Sequence, residues 1–341
     1  MIKLFKPTIK RKDMDSVLGA LVDEELGPGS RNEELSKTLS NEFSASETII
    51  VRTYPRAITI AIKALQLNVG DRVVISPLSP PCYLWMLQEQ QLEIIYADVD
   101  PRTGCLSPES VKKLGTPAPD AILLHEPLGN MVDVESFKDL SIPVIEDISH
   151  SYHTKRKGIS AGELGSVVIL SFEDDALVST GGGTAVIVKD KKHLSYLRNS
   201  TSRDINYDLL PDINCALISN QLKGIDQLIE KQLEYFEVCK QALMKTKHQL
   251  INESHDHATH NGYSFCVLLD SRVKDISKYV KKYKIETLMP FSECAITVDH
   301  KEINEFPNSI PFILRAMIFP LYPLLSRDQL MTLVRVLSTL P

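Results

Sequence analysis

Several stretches of this sequence carry groups suited to chemistry. Val144-Ile145-Glu146-Asp147 ends an apolar run in two carboxylates, and the bases His150 and His153 follow within a few residues. Such a pair either faces a ligand at a strand end or closes the strand and caps the next helix. Glu173-Asp174-Asp175 sets three carboxylates in a row, which is a solvated acidic turn or a cluster that weakens any neighbouring anion site. Thr180-Gly181-Gly182-Gly183 offers backbone amides to an anion, but a glycine run between two apolar stretches is first of all a turn, and it reads as structural. His255-Asp256-His257-Ala258-Thr259-His260 has metal-ligand types, yet its i, i+2, i+5 spacing matches no zinc motif, so a solvated loop is expected and no metal. No Ser-His-Asp or Cys-His arrangement emerges. The six cysteines include no C-x-x-C pair and read as small buried thiols of a reducing compartment.

The elements that must position these groups alternate along the chain. Ile49-Ile50-Val51, Arg72 to Ser76, Glu93 to Ala97, Ala121 to His125, Val144 to Glu146, Val167 to Ser171 and Thr184 to Val188 are strand-like, with helical periodicity up to Leu65 and around Tyr83 to Gln90. That order predicts a mostly parallel sheet covered on both faces, with ligands beyond the carboxyl ends of its strands. Leu222, Ile225, Ile229, Leu233 and Phe236 recur at helical steps and predict one long helix over Ile213 to Lys245. The remainder reads as α+β, with a strand at Ser264 to Leu269, a helix at Ser277 to Tyr283, and a last helix opened by a Ser326/Gln329 capping box. A length of 341 residues calls for two domains, a large one at 1–235 and a small one at 236–341.

Apolar residues at 43% and charged residues at 24% are those of a globular protein. A net charge of −6 argues against a nucleic-acid partner, which would need a basic stripe. No apolar run approaches the ~18 residues of a membrane span. Lys3, Lys6 and Pro7 interrupt any signal-peptide core, so a cytoplasmic location with no membrane partner is expected.

Taken in order, several segments resemble the DegT/StrS-type sugar-nucleotide aminotransferases. They are Gly27-Pro28-Gly29-Ser30 with Glu33-Glu34-Leu35, Ala64 to Val73, Asp98-Val99-Asp100 with Thr103-Gly104, His125 through Asp133, Val144 to His150, Ala216 to Leu222, and Phe319-Pro320-Leu321-Tyr322-Pro323. The resemblance covers essentially the whole chain. It implies the aspartate-aminotransferase fold, an α/β PLP-transferase architecture with a mostly parallel sheet and a small C-terminal α+β domain, and a homodimer with its site at the subunit interface. It also implies roles. Asp147 would pair with the pyridinium nitrogen of pyridoxal phosphate (PLP), a charge that makes the ring an electron sink. His150 would lie near the ring hydroxyl, and Ser171 would bind the cofactor phosphate.

Against that pattern five departures stand out. The family's Schiff-base lysine, in S-F-x-x-x-K, falls on Ala176, and no lysine occurs between Lys157 and Lys189. Alanine has no amine to hold a cofactor or move a proton. The phosphate cup S-G-T-A-A corresponds to Thr53-Tyr54-Pro55-Arg56-Ala57, where proline has no N–H to donate and Arg56 is either a substitute phosphate ligand or an ion-paired side chain. Ser79-Pro80-Pro81-Cys82 lacks the ring-stacking aromatic, with Tyr83 and Trp85 reading as core. Glu173-Asp174-Asp175 puts like charge beside a phosphate site, and Tyr207-Asp208-Leu209 replaces the N-y-R segment that reaches the neighbouring subunit's site.

Three expectations follow. The preferred one is a degenerate homologue that does not transaminate and binds a sugar nucleotide or a partner in polysaccharide or modified-sugar biosynthesis. The second is an enzyme that holds PLP or its amine form PMP noncovalently, at Asp147, His150, Ser171 and Arg56, for transamination or dehydration. The third is a regulatory or structural subunit of an active homologue. Tyr54, Arg56 or Tyr83 filling the space beside Asp147 would favour the first, and an open pocket there the second.

Overall fold

The β-branched runs become strands in the computed structural model, which describes residues 1–24, 26–194, 207–251 and 258–341. In chain order they are β1 (Glu47–Val51), β2 (Arg72–Ile75), β3 (Glu93–Tyr96), β4 (Ala121–His125), β5 (Val144–Asp147), β6 (Lys155–Arg156), β7 (Ile159–Ser160), β8 (Val167–Ser171), β9 (Thr184–Val188), β10 (Gln249–Leu250), β11 (Ala258–Thr259), β12 (Phe265–Leu268) and β13 (Ala316–Phe319). Seven of them form one sheet in the order β1-β9-β8-β5-β4-β2-β3. Its pairs from β8 through β5, β4 and β2 to β3 are parallel, and β9 runs antiparallel to both β8 and β1.

Strands β4, β8 and β9 are buried at every residue, which is why their sequences are apolar without alternation. The pleat divides them between two cores. Leu123, Ile145 and Ile169 pack under Ile58, Ile62 and Leu87 from the helices Tyr54–Ala64 and Pro81–Glu89. Val168, Leu170 and Ile187 pack on the other face under Leu35 and Leu39 of helix Ser30–Glu42 and Ile218 of helix Asp212–Leu222. The Gly-Pro-Gly-Ser turn is fixed by Asp212, whose carboxylate accepts from the N–H groups of Gly29, Arg31 and Asn32 at 2.8, 3.0 and 3.0 Å. It thereby supplies the acceptors that a helix N-terminus lacks.

The single helix expected over Ile213 to Lys245 is two, Asp212–Leu222 and Ile225–Leu243. The break falls at Lys223-Gly224, where Gly224 turns back to donate to Gln221 O at 3.0 Å. Glycine is the costliest ordinary residue to hold in a helix, and the apolar spacing on either side of it was continuous enough to hide the turn. Along the second helix the partner changes. Ile225 and Ile229 belong to the core of the large sheet, whereas Phe236, Cys239, Ala242 and Leu243 belong to a second core around the three-stranded sheet β10-β12-β13. Helix Arg327–Leu337 closes that core behind the Ser326/Gln329 capping box. Ile2 joins it as well, bridging Ile285, so the first residues of the chain return to the C-terminal unit. Among the described residues no helix is long and apolar enough to cross a membrane.

Candidate functional site

Because β4, β5 and β8 are parallel neighbours, His125, Asp147 and Ser171 emerge at one edge of the sheet. The helix Tyr54–Ala64 starts beside them. A cavity of about 280 Å³ opens there, walled by Tyr54, His125, Ser149, His150, Ser171 and Ala176, with Tyr263 and Ile318 coming from the C-terminal unit.

Asp147 is fully buried and is not part of the cavity wall. Its Oδ2 accepts from the hydroxyls of Tyr54 and, at 2.6 Å, of Tyr83. Its Oδ1 accepts from the Ser149 hydroxyl and, at 3.0 Å, from the Ser149 N–H, and His125 Nδ1 stands 3.6 Å from Oδ2. Burial alone would push this carboxyl up. The neighbouring His125 ring, with the Ser149 and Tyr54 hydroxyls, outweighs it and holds Asp147 well below the usual carboxylate range. Burial and the Asp147 charge push both tyrosines the other way, so they remain protonated donors.

His150 does line the cavity. Its Nδ1 accepts from the Leu128 N–H at 3.3 Å, which leaves the ring proton on Nε2, 4.0 Å from Asp175 Oδ2. Desolvation and the neighbouring His125 lower it to about 4, so the ring is neutral near pH 7. It stacks on Tyr263 at 4.2 Å and 18°, and the Tyr263 hydroxyl donates to Asp175 at 3.2 Å. Ser171 also faces the cavity, but its Oγ accepts from the Glu173 N–H at 3.2 Å. Arg56 is not in the wall. Its Nε is 2.7 Å from Asp208 Oδ2, and Asp208 in turn accepts at its carbonyl from the Arg52 N–H. The segment Tyr207-Asp208-Leu209 thus folds back on β1, with Tyr207 itself 85% exposed.

The glycine turn after Thr180 is tied into backbone bonds, Gly183 N–H to Arg52 O and Phe172 N–H to Gly183 O, and takes no part in the cavity. Tyr83 lies in the core and Trp85 is 52% exposed. Of the histidine-rich stretch, residues 255 and 257 lie outside the described residues. His260 is buried against Leu128 O. Among the described residues no group of three or more His, Cys, Asp or Glu side chains is placed to hold a metal ion.

The groups present do not fit PLP held in the manner the resemblance implies. Among the described residues no lysine or arginine lines the cavity, and Ala176, at the position the resemblance gives to the lysine, is part of its wall. Both hydroxyls on Asp147 Oδ2 occupy the acceptor that a pyridinium N–H would need. At the phosphate end, Pro55 sits in the first turn of its helix without an N–H, and Glu173 brings a carboxylate there. Glu173 is raised by burial and by Asp175 and Asp174, and the Tyr54 N–H, which would otherwise face an anionic ligand, only partly offsets that. Each end of the cofactor's imprint is therefore taken up by the chain's own side chains.

His125 and Tyr263 are site residues that the sequence does not single out, whereas Tyr54 is expected there as a side chain that could fill the space beside Asp147. Ser149 carries a legible signal, since a serine two residues after a strand-end aspartate is placed to return a hydrogen bond to it. The loop that carries Leu128 is held by a close approach at Gly129, which has φ +85° and whose added Cβ would meet Asn261 Oδ1 at 2.6 Å and His260 Nε2 at 2.7 Å. Gly129→Ala is expected to destabilise the protein by about 2–4 kcal/mol through strain and overpacking, read as a shift in the urea midpoint at unchanged slope.

This fold is shared with solved sugar aminotransferases. The putative sugar aminotransferase Spr1654 of Streptococcus pneumoniae superimposes with a TM-score of 0.89 at 13% identity, over 99% of this chain and 96% of that one. An Escherichia coli GDP-4-keto-6-deoxy-D-mannose-3-dehydratase, solved with hydrated PLP, superimposes with a TM-score of 0.86 at 16% identity, over 99% of each chain. The chain belongs to the DegT/DnrJ/EryC1/StrS aminotransferase family, whose model matches residues 7–338. Among curated relatives, the spore coat polysaccharide biosynthesis protein SpsC of Bacillus subtilis is 22% identical over 361 aligned residues, 95% of this chain and 92% of that protein.

Proposed function

We propose that this chain is a non-transaminating member of its family, serving sugar or polysaccharide biosynthesis by binding a sugar-derived ligand or a partner. The observation that carries this reading is the closure of Asp147 by the hydroxyls of Tyr54 and Tyr83 in a site with Ala176 in place of a lysine. A carboxylate already satisfied on both oxygens by buried donors gains nothing from a ring N–H and would lose those partners to accept it. A homodimer, in the cytoplasm, is part of this proposal and rests on the family's habit of building its site between subunits. The test is a titration of the purified protein with PLP and with PMP, followed by cofactor absorbance. No saturable binding at micromolar cofactor is expected, and saturation with either one overturns the reading.

A second reading is supported by the cavity that remains in front of Ser149, His150 and Ser171, and by the likeness to a dehydratase whose structure holds hydrated PLP. On it, the chain holds PLP or PMP noncovalently for a lysine-independent step on a keto sugar. Saturable cofactor binding in the same titration selects it. In a third role, as a subunit of an active homologue, the chain would co-purify with that homologue from its native cell.

A further inference from the structure

The helix Val273–Lys282 carries charge of one sign on its outer face. Ile276 and Val280 bury its inner face in the core around β10-β12-β13, while Lys274, Lys278, Lys281 and Lys282 recur at i, i+4, i+7 and i+8 and are all exposed. That spacing lines them up along a single stripe of about 15 Å. Lysines on a solvated helix face are ordinary when carboxylates alternate with them, as on the helix Ile225–Leu243, where Lys231 pairs with Glu234 at 2.6 Å. Here Asp275 is the one carboxylate on the helix, and among the described residues none of the four lysines has an ion-pair partner. The fold then extends the stripe with residues that the sequence keeps apart. The bridge between Ile2 and Ile285 brings Lys3 and Lys284, both exposed, onto one edge, and Ile2 N–H donates to Lys284 O at 2.8 Å. Glu286, the carboxylate beside them, spends its Oε2 on the Leu4 N–H at 3.1 Å. The exposed Arg335 of helix Arg327–Leu337 lies over the Tyr283 ring at 5.4 Å, and Tyr283 and Tyr279 meet edge to face at 5.2 Å. Three segments thus converge on positive charge in a chain whose net charge is −6.

A convex helix face encloses no small anion, and lysine, a point charge on a flexible stem, lacks the fork with which arginine grips a single phosphate. Protein interfaces are depleted in lysine and need an apolar centre, which this stripe does not have. What fits is an extended anionic surface, on which each ammonium meets whichever headgroup lies nearest and half-buried tyrosines suit the polar boundary. We propose that the lysine face of helix Val273–Lys282, with Lys3, Lys284 and Arg335, is a peripheral docking surface for an anionic lipid membrane. The apolar face of the helix stays in the core, so the contact is electrostatic and no segment inserts. The expectation of no membrane partner rested on the missing span, and a contact of this kind needs none. Docking here is independent of what the cavity beside Asp147 holds. Each lysine is expected to contribute about fivefold in lipid partitioning at low salt.

Sedimentation of the full-length protein with vesicles provides the test, using phosphatidylcholine alone and phosphatidylcholine mixed with phosphatidylglycerol, at low and at high salt. Partitioning onto the phosphatidylglycerol vesicles at low salt is expected, with release at high salt and none onto phosphatidylcholine. Lys274→Gln, Lys278→Gln, Lys281→Gln and Lys282→Gln together should lower that partitioning by more than about a hundredfold. Lys37→Gln, Lys112→Gln, Lys113→Gln and Lys138→Gln together change the net charge equally at exposed positions elsewhere, and should lower it by less than about threefold. Both variants are expected to keep the wild-type melting temperature. No partitioning at low salt, equal partitioning onto the two kinds of vesicle, or equal losses in the two variants overturns the proposal. Tighter binding, per charge, to poly-L-glutamate or to duplex DNA than to the vesicles overturns it in favour of a soluble polyanion.

Discussion

Asp147→Ala will cost the fold about 3–5 kcal/mol, the largest stability loss expected of any single substitution at the site. The substitution removes one small side chain but takes the acceptor from the hydroxyls of Tyr54, Tyr83 and Ser149 and from the Ser149 N–H, of which Tyr83 is fully buried. Those donors come from the helix Tyr54–Ala64, the helix Pro81–Glu89 and the turn after β5, so the aspartate ties two helix starts to the centre of the sheet. Asp147→Asn keeps an acceptor and should cost roughly half as much. The sign of the pH dependence follows from the depressed folded-state pKa. Protonation is favoured in the unfolded chain, whose carboxyl titrates near ~3.9, so the contribution is fully present above about pH 4 and fades as pH falls below it. Buried Glu126 and Glu146 are raised by burial and act in the opposite direction, so the difference between wild type and Asp147→Ala isolates the Asp147 part. Urea unfolding from pH 7 down to 3 measures it. A variant as stable as wild type, or a difference that does not shrink on acidification, would show that the carboxylate is not what holds these elements.

The scaffold was legible because burial on both faces leaves its mark on every strand. Ala121 to His125, Val167 to Ser171 and Thr184 to Val188 were bounded correctly from apolar, β-branched content alone. Position was legible too. An acidic pair at the end of one such strand and a serine at the end of another had to emerge at the same edge once the strands were parallel neighbours. What those residues do there was not, because it depends on contacts that no spacing encodes. Tyr83 reads as core, and its ring is core, yet its hydroxyl ends on Asp147 across 64 positions of sequence. Tyr54 reads as a lost glycine of a phosphate cup, and only the fold turns that loss into a hydroxyl on Asp147. Tyr263 arrives from more than a hundred positions further along the chain to stack on His150. Gly224 was invisible for the opposite reason, since the apolar rhythm on its two sides stayed in phase through a break in the backbone.

Ala176→Lys alone will not yield protein that retains PLP. The substitution restores the amine, and if the missing lysine were the whole loss, the variant would load cofactor and become covalently labelled. The surroundings oppose it at three further points. Asp147 Oδ2 already holds two tyrosine hydroxyls, Pro55 has no N–H at the phosphate end, and Glu173 and Asp175 face a dianion with like charge. Each such term is worth about 1–2 kcal/mol, so together they are expected to weaken loading by a factor on the order of 10³. Borohydride reduction in the presence of micromolar PLP, followed by intact-mass measurement, should show no cofactor adduct at residue 176. Adding Tyr54→Gly and Pro55→Thr frees one position on Asp147 and returns a backbone donor, and the triple variant should label at least about tenfold more than the single one. Full labelling of the single variant would mean that the tyrosines and Glu173 step aside readily. The closed arrangement around Asp147 would then be a resting state of a cofactor site and not its replacement.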